Sequence, residues 1–536
     1  MSKSKYLLLG ALAAASLSPA AFATAPGAAL DALVGTPDEF FFSGATASDG
    51  AIKSFVKNDL CVAGTYDLYQ DIAGTVKGGN WFTMTCTLNG AAPVPASLFG
   101  HSVIIHKRTK IGSIYGVYPV ALNSYAEFLN IRSDRGSGAC VADAAANTYN
   151  CTVAASPSAL RDVPRHAFNA DECDYQTAAP ANPASTGVSV AVAASLDTLC
   201  RRVSLGSSDV EAEVFSGVNL TNFPGDNFTK LTVAQLNSLT RSRAFGQLFG
   251  VAVSNGVWNA LQLAQYGANS AYVADGSNWP SLSSDTVRKI LKGDAATWSA
   301  AVGGATFPAA VNNINICRRE QGSGSQASSN LFFMNYPCDT AFTPTQDNTA
   351  TWTTGLWVKE NTSSTFVKAC LNDSEAGGTN ANALQTAGGI GVLSFNGDPG
   401  ASDTWKWVRI NGVVPSMQNS ILGLSNFWFE TQLAYNKAMV AGPEKDLVTA
   451  VIGEMGKATR IQTAAAKGVA AMSFTATVGA FDNGTNNTAF PNVYTATNPV
   501  MGGKHSAGVG FTSGLLLSCK PILLDADLPA APNRLQ

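Results

Sequence analysis

A chain of 536 residues is long enough to bury more than one core, and an apolar content of 46% excludes a disordered polymer. Only 13% of the residues are charged and the formal net charge is −3, so neither a nucleic acid nor an acidic membrane surface is expected as a partner. Any anion site must then be local, made from a few side chains and backbone groups.

The N-terminus, MSKSKYLLLGALAAASLSPAAFATAP, has two early lysines, an apolar stretch from Tyr6 to Leu17 and small residues ending in Ala21-Phe22-Ala23. That order predicts a secretory signal over residues 1–23, cut after Ala23 and taking no part in the fold. No later apolar run reaches the roughly 18 residues of a membrane span, so the mature chain is expected to be soluble and periplasmic, or secreted and extracellular. The first cysteine, Cys61, lies far beyond the cleavage point, which argues against a lipid anchor there.

Residues 38–58 predict a strand, a tight turn at Gly44-Ala45-Thr46, and a helix. Residues 102–122 predict a strand, a Gly112-Ser113 turn and an apolar segment. From about 125 to 200 the composition shifts to Ala, Ser, Pro, Asn and Cys, which reads as a disulfide-pinned insertion rather than α/β core. Residues 199–215 follow as a strand ending in the turn Ser207-Ser208-Asp209, and 244–256 as an apolar strand. The best-marked helix lies within 282–298, capped by Ser284, with Val287, Ile290 and Leu291 on one face and Gly293 as its stop. Residues 311–333 again read strand, Gly-rich turn, helix, and 388–397 is a further strand. The tryptophan-containing 427–431 reads as core. Strands alternating with helices predict an α/β fold.

Ten cysteines in an exported chain allow up to five disulfides. Joining sequence neighbours gives Cys61–Cys86, Cys140–Cys151, Cys173–Cys200 and Cys317–Cys338, which leaves Cys370–Cys519. A zinc site is excluded by spacing, since no C-x₂₋₄-C pair occurs.

Four turns share one format, a strand followed by small or hydroxyl residues and then a helix or apolar segment. They hold Thr46, Ser113, Asp209, and Arg319 with Gly322-Ser323-Gly324-Ser325. In parallel α/β sheets ligands bind beyond the carboxyl ends of strands, where backbone N–H groups at helix N-termini donate to anions. Arg319 adds a planar fork matched to a tetrahedral oxyanion. Asp209 would repel a bare anion, but it suits one that carries a proton. Phosphate or arsenate near neutral pH keeps a P–OH or As–OH that needs an acceptor, whereas sulfate would leave the carboxylate unpaired, a loss of several kcal/mol. Taken singly, each turn reads more readily as a surface loop or a helix cap than as an anion site.

His101, His106, His166 and His505 are the only histidines, and His101 and His106 fall on opposite faces of a strand. Structural roles suit them better than a metal site. Residues 482–487, DNGTNN, lack the spacing of a calcium loop, and no G-x-S-x-G elbow or nucleophile–base pair is found. No metal, no organic cofactor and no catalytic residue is expected, and the chain is not read as an enzyme.

The order of these pieces resembles the PstS-like periplasmic phosphate-binding proteins of ABC transporters. Arg319-Glu320-Gln321-Gly322-Ser323-Gly324-Ser325 resembles the family's R-x-D-G-S-G-T, residues 205–212 its G-A-S-D-A-P, residues 111–116 its serine turn, and residues 41–55 its opening G-A-G-A-T-F-P. The helix at 284–292 with Asp294 and Trp298, and the strand at 388–395, are similar to further family segments. Three positions depart: Gln321 stands where aspartate is common, Ser325 where threonine is, and Ala47 where phenylalanine is.

The resemblance implies a two-lobed type II periplasmic binding fold with a disulfide-rich insertion. Residues 24–250 and 425–536 would form domain I, with the insertion at about 125–200, and 251–424 would form domain II. It implies inorganic phosphate, or arsenate, in the cleft, with Thr46, Ser113, Arg319, Ser323, Gly324 and Ser325 donating and Asp209 accepting. An inner-membrane ABC permease would be the partner. Two other classes stay open: an extracellular scaffold or adhesin on the same fold, and a secreted PstS-like phosphatase. The second Gly-Ser-Gly, at 136–138, has no strand–helix frame and no family counterpart.

Overall fold

The computed structural model describes residues 37–73, 76–129, 131, 140–143, 148–152, 198–220, 229–347, 355–375, 386–395, 398–416, 419–420, 424–455, 503–504 and 523–524. The signal segment, the Gly-Ser-Gly at 136–138, His166, Cys173, residues 482–487, His505 and Cys519 lie outside the described residues.

In chain order the first strands are β1 (Asp38–Gly44), β2 (Asp67–Ala73), β3 (Val76–Thr87), β4 (Ser102–Arg108), β5 (Tyr125–Leu129), β6 (Cys140–Asp143), β7 (Thr148–Thr152), β8 (Thr198–Arg202) and β9 (Leu205–Ser208). They are followed by β10 (Leu239–Ser254), β11 (Ser281–Leu282), β12 (Ile314–Arg319), β13 (Leu356–Asn361), β14 (Gly388–Ser394), β15 (Trp405–Ile410) and β16 (Trp428–Asn436). Five helices matter below: α1 (Asp49–Phe55), α2 (Ser284–Leu291), α3 (Gly324–Met334), α4 (Ser364–Asp373) and α5 (Pro443–Met455).

Three consecutive phenylalanines show why β1 lies deep in the sheet. Phe40 and Phe42 pack on one face with Ile52 and Phe55 of α1 and with Leu447, Val448 and Val451 of α5. Phe41, on the opposite face, stacks on His106 with ring centroids 4.8 Å apart. A continuous apolar run, not alternation, is what a strand covered on both faces carries. Each buried ring contributes roughly 2–3 kcal/mol.

One mixed sheet runs β13-β12-β14-β10-β16-β9-β1-β4-β3-β2-β7-β6, with β15 pairing β10 and β11 beside that path. It holds two parallel groups, β9-β1-β4 and β14-β12-β13. Antiparallel pairs join them through β10 and β16. The long β10 serves both sides: Leu239–Leu248 pairs with β16, and Phe249–Val253 pairs with β14. The fold is thus α/β. The carboxyl ends of β1, β4 and β9 on one side, and of β12 and β13 on the other, carry the turns that matter.

Within the block after residue 125, β5 and β8 pair as a separate two-stranded antiparallel ribbon, and the β6–β7 hairpin adds β7 to the edge strand β2, whose backbone groups would otherwise be open. Two expectations need correction. Ser283, not Ser284, caps α2, accepting from the Thr286 N–H at 3.0 Å. The second correction is to the disulfides. Cys61–Cys86 and Cys140–Cys151 are bonded as neighbours, but Cys317 bonds Cys370, which overturns both Cys317–Cys338 and Cys370–Cys519. The parallel β12–β13 pair returns α4 onto β12, placing the two α-carbons 5.8 Å apart across a sequence separation of 53. Cys338 is itself disulfide-bonded. Among the described residues no helix is long and apolar enough to cross a membrane.

Candidate functional site

The first wall is built by the turns after β1, β4 and β9. At Gly44, φ is +117° and a Cβ would lie 1.9 Å from the Ser207 carbonyl oxygen, so two turns meet backbone to backbone and only glycine fits. The Ala45 N–H donates to that carbonyl at 2.8 Å, and the Ser48 hydroxyl donates to the Ser207 hydroxyl at 3.3 Å. Thr46 sits at the tip, just before α1. Asp49 in the first turn of α1 pairs with the fully buried Lys107 at 3.2 Å. Burial pushes the Asp49 carboxyl up and the Lys107 ammonium down, and their mutual attraction works against both shifts. Lys107 also donates to the carbonyls of Gly44, Ala45 and Arg108.

After β4 the backbone turns through Ile111 (φ +69°) and Gly112 (φ +89°). A buried β-branched residue in the left-handed region is strained, and such strain is kept only where surrounding contacts fix it. Ser113 then opens a short 3₁₀ turn, and its hydroxyl accepts from the Asp209 N–H at 3.0 Å. Asp209 is 1% exposed. Its Oδ2 accepts from the Ser325 hydroxyl at 3.2 Å, while Oδ1 is buried with no partner. Burial pushes its carboxyl up to about 7, with Arg319 and the Ser325 hydroxyl pulling it down.

The second wall comes from the turns after β12 and β13. Arg319 ends β12, also 1% exposed. Its Nε donates to the Asn361 carbonyl at 3.1 Å, Nη2 to the Thr362 carbonyl at 2.7 Å and Nη1 to the Thr46 hydroxyl at 2.8 Å. Among the described residues it makes no ion pair. Ser323 caps α3, accepting from the Gln326 N–H at 3.4 Å, so this helix directs its unbonded first-turn N–H groups beside Arg319. The close approach depends on Gly324, where a Cβ would lie 2.1 Å from the Ser113 hydroxyl and 2.9 Å from the Asp209 Cβ.

The structure therefore brings Thr46, Ser113, Asp209, Arg319, Ser323, Gly324 and Ser325 together. Two hydroxyls cross between walls, Thr46 to Arg319 and Ser325 to Asp209. The Ile114 N–H adds a backbone tie to the Gly322 carbonyl at 2.9 Å. Gln321 turns away and donates to Gln346. Sequence reasoning missed a fifth turn, Asn361-Thr362-Ser363-Ser364. Its carbonyls hold Arg319, and the Ser364 and Thr46 hydroxyls lie 3.2 Å apart. Its signal was a hydroxyl-rich run directly after the strand LWVKE.

His106 is buried against Phe41, with Nδ1 near the Thr83 hydroxyl and the Leu129 carbonyl, and His101 pairs with Asp38 at 2.8 Å. Neither reaches the cradle's contacts. Among the described residues no cluster of three or more His, Cys, Asp or Glu could hold a metal ion.

No family model and no curated protein matches the sequence. Solved structures similar to part of the chain include an ABC-type phosphate transport receptor from Vibrio cholerae (12% identity, TM-score 0.28, 49% of this chain and 79% of that one). Others are PstS from Borrelia burgdorferi (13%, 0.25, 44% and 74%) and a phosphate-binding protein from Stenotrophomonas maltophilia (15%, 0.24, 50% and 69%). At TM-scores below 0.3 these likenesses carry no argument about this chain.

Proposed function

We propose that the chain is an exported solute-binding protein that holds inorganic phosphate where the two walls meet. The observation that carries this reading is a pair of unmet needs at one spot. Arg319 is a buried cation with no ion pair among the described residues, and Asp209 has a buried oxygen with no hydrogen-bond partner. The two do not satisfy each other. A tetrahedral oxyanion that still carries a proton meets both, taking charge-assisted bonds from Arg319 and donating its O–H to Asp209. Hydroxyls of Thr46, Ser113 and Ser323 and the N–H groups of Gly324 and Ser325 complete the donor set, while the Ser325 hydroxyl stays on Asp209, and arsenate would satisfy the set equally.

In this reading 24–250 with 425–536 and 251–424 form two lobes bearing one wall each, with β10 crossing between them, and closure traps the ligand. Binding without turnover would suit delivery to an inner-membrane ABC permease. A phosphate-release assay on a monoester separates this from the phosphatase alternative.

The decisive measurement is calorimetry with phosphate, arsenate and sulfate on the wild type and Asp209→Asn. Phosphate and arsenate should bind the wild type while sulfate does not. Asp209→Asn should lose about 2–3 kcal/mol toward phosphate and most of the discrimination against sulfate. No phosphate heat from ligand-stripped wild type would sink the reading. Equal sulfate affinity would remove the acceptor role of Asp209.

A further inference from the structure

Beside the cradle lies a buried carboxylate that the phosphate reading leaves unused. Glu320 follows Arg319 directly, is 1% exposed, and both of its carboxylate oxygens are buried with no hydrogen-bond partner. Its backbone is fixed at both ends, the N–H donating to the Asn361 carbonyl at 3.1 Å and the carbonyl accepting from the Ser323 N–H at 3.3 Å. The turn behind β4 packs against this segment, since a Cβ on Gly112 would lie 3.2 Å from Arg319 Nη2 and 3.4 Å from the Ser323 Cα.

We propose that Glu320 is a positioning residue that sets the charge of the anion site by taking up a proton when phosphate binds. The inference rests on the phosphate reading above.

Four charged groups act on Glu320: Arg319 from the end of β12 just before it, Glu360 from β13, Arg108 from β4, and Lys110 from the turn after β4. Two of them are engaged elsewhere. Arg108 lies 3.6 Å from the Glu127 carboxylate and Glu360 lies 3.6 Å from Arg318. Lys110, 4% exposed, has the Trp81 ring 5.3 Å from its Nζ and no ion pair among the described residues. Arg319 and Lys110 are therefore the cations whose fields favour an ionised Glu320.

A phosphate seated on Arg319 claims that cation's field and adds its own negative charge. Both changes favour the protonated carboxyl. Ligand and proton then bind cooperatively, and by linkage each strengthens the other. The proton comes from solvent and stays on a Glu320 oxygen, while Asp209 remains the acceptor for the phosphate O–H. Burial pushes the Glu320 carboxyl up to about 8, opposed by Arg319, so the coupling falls in an accessible pH window. The sign follows: phosphate favours the protonated Glu320, so affinity is unaffected by this group below about pH 8 and falls as pH rises above it.

The test is the phosphate dissociation constant of the full chain, by calorimetry from about pH 6 to about pH 9, for wild type, Glu320→Gln and Lys110→Gln. Melting curves of each variant confirm folding. Above about pH 8 the wild type should lose affinity by about tenfold per pH unit relative to Glu320→Gln, which lacks the titrating group. Lys110→Gln removes an attracting cation and should move the midpoint to higher pH, which a merely structural role for Glu320 would not do. Parallel slopes for wild type and Glu320→Gln would overturn the inference while leaving phosphate binding intact, and so would a midpoint that Lys110→Gln leaves unmoved or lowers. No phosphate binding by the wild type at any pH would remove the phosphate reading, and this inference with it.

Discussion

The two walls solve opposite electrostatic problems. The first, after β1, β4 and β9, holds the acceptor Asp209 and a cation already spent, since Lys107 is paired with Asp49 and tied to three carbonyls. The second, after β12 and β13, holds the unspent cation Arg319 and the N-terminus of the eleven-residue α3. Neither wall completes itself. Arg319 is steadied by a hydroxyl from the first wall and Asp209 by a hydroxyl from the second. Neutral cross-ties hold both groups in place without consuming their charge, and a charge left over on each side is what gives a ligand a reason to sit between them.

Removing the leftover cation should break this division most completely. Arg319→Met is expected to lower phosphate affinity by about three orders of magnitude, roughly 4 kcal/mol, measured by calorimetry. Retention of affinity within a few fold would mean that the second wall is not cationic in function. Replacing Cys317 and Cys370 together with serine should lower the unfolding free energy by about 4 kcal/mol in denaturant titrations, because that bridge closes a loop of 53 residues. It should weaken phosphate binding too, since it staples β12 to the helix that follows the fifth turn. Gly324→Ala sharpens the contact between walls. It should cost about 1–3 kcal/mol in stability, and Ser113→Ala in the same chain should recover part of that by removing the hydroxyl 2.1 Å from the new methyl. Strict additivity of the two would disprove the contact.

The strand–turn–helix frames were legible because they are local: aromatic and β-branched residues make the strand, small residues the turn, and a hydroxyl caps the helix. Thr46, Ser113, Asp209, Arg319 and Ser323 could be picked out that way. What the sequence hid is long-range. The turn Asn361–Ser364 joins the site only because β13 lies parallel to β12, and Cys317 meets Cys370 for the same reason. The pairing of β10 with β16 depends on residues nearly two hundred positions apart, Leu239 with Asn436 at one end. Lys107, Arg108 and Lys110 are three basic residues close together in sequence, yet all three are buried. Glu320 carried no sequence signal at all. A glutamate beside an arginine is ordinary until its surroundings are known.

The β5–β8 ribbon makes Leu129 and Thr198 neighbours in space, and the Val203 N–H adds a tie to the Ser124 carbonyl at 3.4 Å. A chain that leaves and rejoins at one place can lengthen or shorten without moving Ser113 relative to Asp209. The entropy of closing such an excursion grows only with the logarithm of its length, about 0.6 kcal/mol for each doubling. The ribbon thus works as an inlet for added sequence, a point at which evolution can trade appendages, or an engineer splice in a reporter, while the anion cradle keeps its shape.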